Sequence, residues 1–148
     1  MFKKLKSLFK KKSIVGEQPE TKIEESQLDF PIDRADYFFD HALVFYCEEN
    51  NIPSEKLSQS DMLEISKRAA FHLSIFVAWL AKHDFLNPQS DGFNLEDEQK
   101  LKNETITGTD YLFKHLDEKL YSTDISNTLL PFISDFYEDY MDFCYTVL

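Results

Sequence analysis

Residues 69–81 read AAFHLSIFVAWLA, and this apolar stretch decides the fold. Its large apolar side chains fall on every side of a helix, a pattern that is typical of a helix buried in a core. His72 and Ser74 interrupt the run, which is shorter than the ~18–20 apolar residues that a membrane-spanning helix needs. The stretch therefore predicts the central, most buried helix of a globular domain.

Helical periodicity on both sides of this stretch predicts the elements that cover it. Glycine and proline are scarce, at three and five residues, and no alternating run predicts a strand. Helices are expected over residues 31–50, 60–86, 95–105, 110–121 and 129–145, with Asp33 as the cap of the first. The sequence thus predicts an all-α fold, a single compact domain of four to five helices.

The first 30 residues differ from the rest in charge. Residues 1–12, the basic head, carry six lysines and no acid, whereas the other 136 residues carry ten basic and 27 acidic residues. The next residues up to Phe30, the acidic linker, hold five acids and one lysine with little apolar content, which is typical of a flexible segment. We therefore divide the chain into residues 1–30, the head and linker, and residues 31–148, the helical domain.

The basic head has a candidate role at a membrane surface. On a helix its apolar and basic side chains separate onto two arcs, and an anionic surface attracts each lysine by about 1 kcal/mol. Four apolar anchors would bind only weakly. The alternatives are a contact with nucleic acid, a plain solvated terminus and a contact with the acidic linker. The candidate membrane-contact residues are Phe2, Lys3, Lys4, Leu5, Lys6, Leu8 and Phe9.

The last predicted helix carries a stripe of acidic residues at the spacing i, i+3, i+4 and i+7. Like charges at these spacings cost a few tenths of a kcal/mol per pair, so a partner outside the helix would compensate for them. The alternative is an ordinary solvated face. Phenylalanines and Tyr140 are expected on the opposite side. The candidate partner-binding residues are Asp135, Glu138, Asp139 and Asp142, with Tyr137 or Tyr145 beside them.

No motif in the sequence specifies a reaction, so no catalytic residue, metal ligand or cofactor is assigned. His72 and His83 would lie ~16 Å apart on one helix, too far for one ion. His72 requires a polar partner among apolar neighbours, and we expect a structural histidine, with a functional role as the alternative. Cys47 and Cys144 are expected as two free thiols, with a disulfide as the alternative.

Residues 72–80, HLSIFVAWL, resemble an uncharacterised bacterial domain family whose members carry a pattern like T-H-I-G-M-F-L-A-W. Phe71 and Ser74 stand where that pattern has threonine and glycine. Residues 106–113, ITGTDYLF, and residues 136–140, FYEDY, are also similar to the family. The resemblance extends over residues 33–143 and implies a small bacterial helical domain of no established activity, so it assigns no functional residue.

Charge and composition favour a binding protein over an enzyme. Residues 31–148 have nine basic and 22 acidic residues, a net charge that repels nucleic acid and attracts a basic protein. We expect a non-enzymatic, cytoplasmic protein, such as a bacterial immunity protein that neutralises a basic toxin. The alternative is an adaptor held at the inner membrane surface by the basic head. The sequence assigns no oligomeric state.

Overall fold

A computed structural model describes residues 29–147, which form an all-α domain with one small sheet. The prediction of the fold class is confirmed. The helices of this part of the chain are α1 (Phe39–Asn50), α2 (Gln59–Ala69), α3 (Phe71–Lys82), α4 (Leu95–Lys102), α5 (Gly108–His115) and α6 (Leu130–Val147). Two strands, β1 (Pro31–Arg34) and β2 (Lys119–Tyr121), pair antiparallel, and 3₁₀ turns occupy Ala35–Phe38, Ser54–Lys56 and Ser122–Asp124.

The first predicted helix begins later than expected, because its first residues form β1. Asp33 pairs with Leu120 and Arg34 with Lys119, and the Ala35 N–H donates to the Glu118 carbonyl oxygen. Asp33 is therefore not a helix cap; its side chain is buried in the domain. Backbone pairing with a strand about 90 residues away along the chain overrides the local helical pattern, as tertiary context often does.

The second predicted helix is two helices, α2 and α3, which meet at Ala70. Ser58 caps α2, two residues before the predicted start at residue 60: its hydroxyl accepts from the Asp61 N–H, and the Asp61 carboxylate accepts from the Ser58 N–H. This reciprocal arrangement is a capping box. The fourth predicted helix is also shorter than expected, since α5 ends at His115 and the following residues form β2.

The core is built around α3, as the apolar stretch predicts. Leu73, Val77 and Leu80 are completely buried, and α2, α5, β2 and α6 contribute further core side chains. The prediction that apolar residues are buried on all sides of this helix was wrong for Phe71 and Ile75, which are exposed. These two residues are four positions apart and therefore lie on the same side of α3.

Helix α5 packs against the backbone of α3 at Gly108. A Cβ atom at this position would lie 1.9 Å from the Ser74 carbonyl oxygen, so only glycine fits there. The Thr109 hydroxyl donates to Ser74 Oγ at 3.0 Å, and Ser74 Oγ donates to the Ala70 carbonyl oxygen at 2.9 Å. The close helix contact at Ser74 is therefore made with a glycine on the opposing helix.

Helices α4 and α5 are joined by a buried carboxylate, Asp97. It accepts hydrogen bonds from Lys114 Nζ at 2.6 Å, His115 Nε2 at 2.8 Å and Lys100 Nζ at 3.0 Å. The Lys114 ammonium, followed by His115 and Lys100, holds the pKa of the Asp97 carboxyl well below its usual range. Of the two leucines of α4, Leu101 is buried and Leu95 is exposed.

We predict that Asp97→Asn destabilises the domain in a pH-dependent way. Since the folded-state pKa of Asp97 is depressed, its stabilisation is present above the unfolded-state pKa of about 3.9 and decreases as pH falls below it. Thermal unfolding at pH 7 should show a lower Tm for the variant, and the difference should shrink steadily between about pH 5 and pH 2. Glu96→Gln, which removes an exposed partner of Lys100, is the control. A pH-independent difference would contradict this account.

Candidate functional site

Helix α6 turns one apolar face to the core and a charged face to solvent. The side chains of Ile133, Tyr137, Met141 and Cys144 are buried, at spacings of three and four residues along the helix. The acidic residues lie on the other side of α6, and all four are exposed. We call Asp135, Glu138, Asp139 and Asp142 the acidic face. Its position on an exposed helix surface is the one expected from the spacing of these residues.

The phenylalanines of α6 are not on the side opposite the acids, as predicted, but alongside them. Phe132, Phe136 and Phe143 are 66%, 54% and 64% exposed. With 3.6 residues per turn, the positions opposite the acids belong to Ile133, Tyr137, Cys144 and, as predicted, the half-buried Tyr140. The phenylalanines lie at the border of the two faces, in line with Asp139. This line, with residue spacings of four, three and four, is the aromatic stripe.

A groove of about 390 Å³ lies between α3 and the start of α6. Its walls are mainly aromatic, and Asp135 and Asp139 also line it. Trp79, the only tryptophan of the chain, stacks on Phe76 with ring centroids 5.8 Å apart and on Phe136 at 6.4 Å. We call this the aromatic groove. It is lined by Phe76, Trp79, Leu129, Phe132, Ile133, Asp135, Phe136, Tyr137 and Asp139.

The groove is not predicted from the sequence, although the sequence contains one signal for it. The face opposite four charged residues of a helix must be the buried face, and this rule places Tyr137 inside and Phe132 and Phe136 near the boundary. What the sequence does not show is that Phe136 stacks on Trp79, because this contact depends on how α3 and α6 cross.

A buried hydrogen-bond network, centred on Asp33, fixes α6 against the core. His72 Nε2 lies 2.9 Å from Asp33 Oδ2, and the Tyr137 hydroxyl donates to the same oxygen at 2.5 Å. Asp33 Oδ1 accepts the Arg34 N–H at 2.7 Å. The Tyr140 hydroxyl donates to the His72 carbonyl oxygen at 2.5 Å. The Asp33 network therefore joins β1, α3 and α6.

The geometry of the Asp33 network suits a structural role. Burial, together with the charge of Asp33, raises the pKa of the Tyr137 phenol far above its usual value, so the phenol keeps its proton and remains a donor. Burial likewise raises the pKa of Tyr140. Both carboxylate oxygens accept hydrogen bonds from the protein itself. The expectation that His72 is a buried histidine with a polar partner is confirmed, and the partner is a carboxylate.

The structure separates the predicted partner-binding residues into exposed and buried ones. The four acids of the acidic face are accessible, and so is Tyr145, which is 63% exposed and lies with its ring 5.7 Å from that of Phe38. Tyr137 was wrongly assigned to a partner surface, because its side chain is completely buried and bonded to Asp33. The membrane-contact candidates Phe2 to Phe9 lie outside the described residues.

Between Asp29 and Val147, no cluster of three or more His, Cys, Asp or Glu side chains is arranged to hold a metal ion. In the same range, no helix combines the length and the apolar character that crossing a membrane requires. Cys47 and Cys144 are both free thiols, as expected.

The sequence pattern of a known protein family matches residues 32–146, most of the chain. The chain belongs to the family described as Domain of unknown function (DUF7832). The resemblance to an uncharacterised family is thereby confirmed. No curated protein and no solved structure matches the chain. The family region contains the Asp33 network, the acidic face and the aromatic groove, whereas the basic head lies outside it.

We predict that Tyr137→Phe destabilises the domain by about 1.5–3 kcal/mol, the range for a hydrogen bond to a charged group. The substitution removes only the hydroxyl that donates to Asp33, while the ring remains to fill the core. Urea unfolding followed by circular dichroism would measure the change. Tyr145→Phe is the matched control, and at this exposed position the effect should stay within about 0.5 kcal/mol. Equal effects of the two substitutions would contradict a special role for the Asp33 network.

Proposed function

We propose that this protein binds a basic partner protein through the outer surface of α6. The partner's lysines or arginines meet the acidic face, while its apolar side chains cover the aromatic stripe and enter the aromatic groove. The observation that carries the proposal is the exposure of three phenylalanines in line with Asp139, next to a groove lined by Trp79.

Exposed aromatic side chains on one line of a helix are a source of binding energy. Removing a phenylalanine from water contributes about 1.5–3 kcal/mol, and aromatic residues are frequent among the side chains that dominate binding at protein interfaces. The volume of the groove, about 390 Å³, lies within the usual range for sites that hold a bound group. The stripe and groove therefore offer apolar contacts on a surface that is otherwise acidic.

The negative charge of α6 favours a partner with a positively charged surface. The helix contains no lysine, arginine or histidine, so every charged side chain of α6 is acidic. The mutual repulsion of these acids decreases when cationic groups approach, and complementary charge also accelerates association. A basic partner would thus reduce the repulsion within the acidic face, and its apolar side chains would reach the aromatic stripe beside that face.

The spacing of the aromatic stripe favours a helical segment in the partner. Positions four, three and four residues apart form the seam along which two helices pack side by side. The expected partner segment is an amphipathic helix with apolar residues on one side and lysine or arginine beside them. Asp139 lies within the stripe and would face one of these basic residues.

The narrower hypothesis is that the partner is a basic toxin and that this protein is the cytoplasmic immunity protein that neutralises it. The acidic surface and the position of the groove support a non-enzymatic role of this kind. Adaptor function at a membrane surface depends on the basic head rather than on α6, and the described residues contain nothing that favours it.

We predict that a basic amphipathic peptide binds at α6 with a dissociation constant that depends on the acidic face. The probe is a helical peptide of Leu and Lys with 18 residues, the length of α6, and Trp79 fluorescence follows its binding. Asp135→Asn, Glu138→Gln, Asp139→Asn and Asp142→Asn together should weaken binding at least about ten-fold, or 1.4 kcal/mol. Phe136→Ser should weaken it as well, since it removes an apolar wall of the groove.

The matched control neutralises four exposed acids on other parts of the domain: Asp40→Asn, Glu48→Gln, Glu55→Gln and Asp91→Asn. Both variants change the net charge equally, so non-specific attraction would be reduced equally in the two. The proposal expects the control to bind within about two-fold of the unmodified protein, because long-range attraction is screened at physiological salt. Equal weakening in both variants, or no binding of the peptide at all, would contradict a binding site on α6.

A further inference from the structure

We propose that the basic head of the chain, residues 1–12, docks onto the acidic face and aromatic groove of its own α6 and thereby competes with the partner. This inference rests on the proposed function, because it assigns a regulator to the same site.

The head has the chemistry that the site on α6 requires. Residues 1–12 read MFKKLKSLFKKK and combine six lysines with four large apolar residues. Phe2, Leu5 and Phe9 recur three and four residues apart, so a helix would place them along one line. Their lysine neighbours would meet the acidic face while this line covers the aromatic stripe. In the rest of the chain, no other 12-residue segment combines six basic residues with the absence of acids.

The head is attached close enough to reach the groove. The chain enters the domain beside the Ser122–Asp124 turn, since the Asp29 carboxylate accepts from the Thr123 hydroxyl and the Phe30 N–H donates to Ser122 Oγ. Leu129, which lines the groove, follows Thr123 by six residues, a distance of at most about 20 Å along the chain. Residues 13–28 can span up to about 55 Å when extended. The extended length of the linker is therefore greater than the distance from its attachment point to the groove.

Tethering makes a weak contact effective. A short linker gives a tethered segment a local concentration in the millimolar range, so the head need not bind tightly to occupy the groove. The competing site for the head is the acidic linker, which offers carboxylates but little apolar surface. The site on α6 provides both, and this combination favours it.

The location of Trp79 in the groove allows a direct test in the full chain. Because the chain has one tryptophan, acrylamide quenching of its fluorescence reports how accessible the groove is. Replacing all six lysines of the head by glutamine should raise the quenching constant at least about two-fold at low salt, since the tethered head no longer covers the groove. Raising the salt to about 0.5 M should bring the unmodified chain close to the variant.

Two controls separate docking on α6 from its alternatives. Replacing Glu17, Glu20, Glu24 and Glu25 of the linker by glutamine should leave quenching in the full chain unchanged or lower. If instead it releases Trp79 as the lysine variant does, the head contacts the linker and the inference is overturned. Shielding should also be independent of protein concentration; an increase with concentration would indicate contact between two copies and overturn intramolecular docking.

A synthetic peptide of residues 1–12, added to the chain with the neutralised head, distinguishes this inference from the proposed function. Shielding of Trp79 by both the tethered head and the peptide supports docking. Shielding by the peptide alone overturns self-docking but leaves the partner site on α6 intact. An absence of shielding in both cases overturns self-docking and also counts against the proposed function, because a basic amphipathic segment would then fail to recognise the site.

Discussion

The buried carboxylate of Asp33 determines which side of α6 reaches the surface. It accepts hydrogen bonds from His72 on α3 and from Tyr137 on α6, and β1 holds it in place through pairing with β2. Because Tyr137 is held in the core, the repeat of 3.6 residues per turn places the acidic face and the aromatic stripe at the surface. Burying a carboxylate is costly unless it is fully hydrogen-bonded, so these partners have to be present together. The surface of α6 is a consequence of this internal arrangement.

The sequence predicts features that depend on neighbours along the chain and misses those that depend on distant ones. The apolar run around Val77 specifies the central helix locally, and His72 reveals its need for a polar partner. The identity of that partner could not be predicted, because Asp33 and Tyr137 are separated from His72 by 39 and 65 residues along the chain. Because local patterns do not show contacts between residues far apart along the chain, Asp33 was wrongly predicted to be a helix cap. For the same reason the contact between Trp79 and Phe136 was not predicted.

The outer surface of α6 combines two features that do not stabilise the domain. Clustered carboxylates repel one another, and exposed phenylalanines remain in contact with water. Both costs decrease when a cationic amphipathic segment covers the helix, whether it belongs to a partner or to the head of the same chain. The two proposals therefore describe one site with two occupants. The family region, residues 32–146, contains the site but not the head.

The central claim is that Asp33 holds α6 in its orientation, and hydrogen–deuterium exchange of Asp33→Ala tests it most directly. Loss of the carboxylate leaves Tyr137 and His72 without their common acceptor, while the contacts between α3 and α5 remain. The account predicts that amides of α6 exchange at least about ten-fold faster, a change of 1.4 kcal/mol, and that amides of α3 and α5 change less. Unchanged exchange in α6, or acceleration no larger than in α3, would contradict the account.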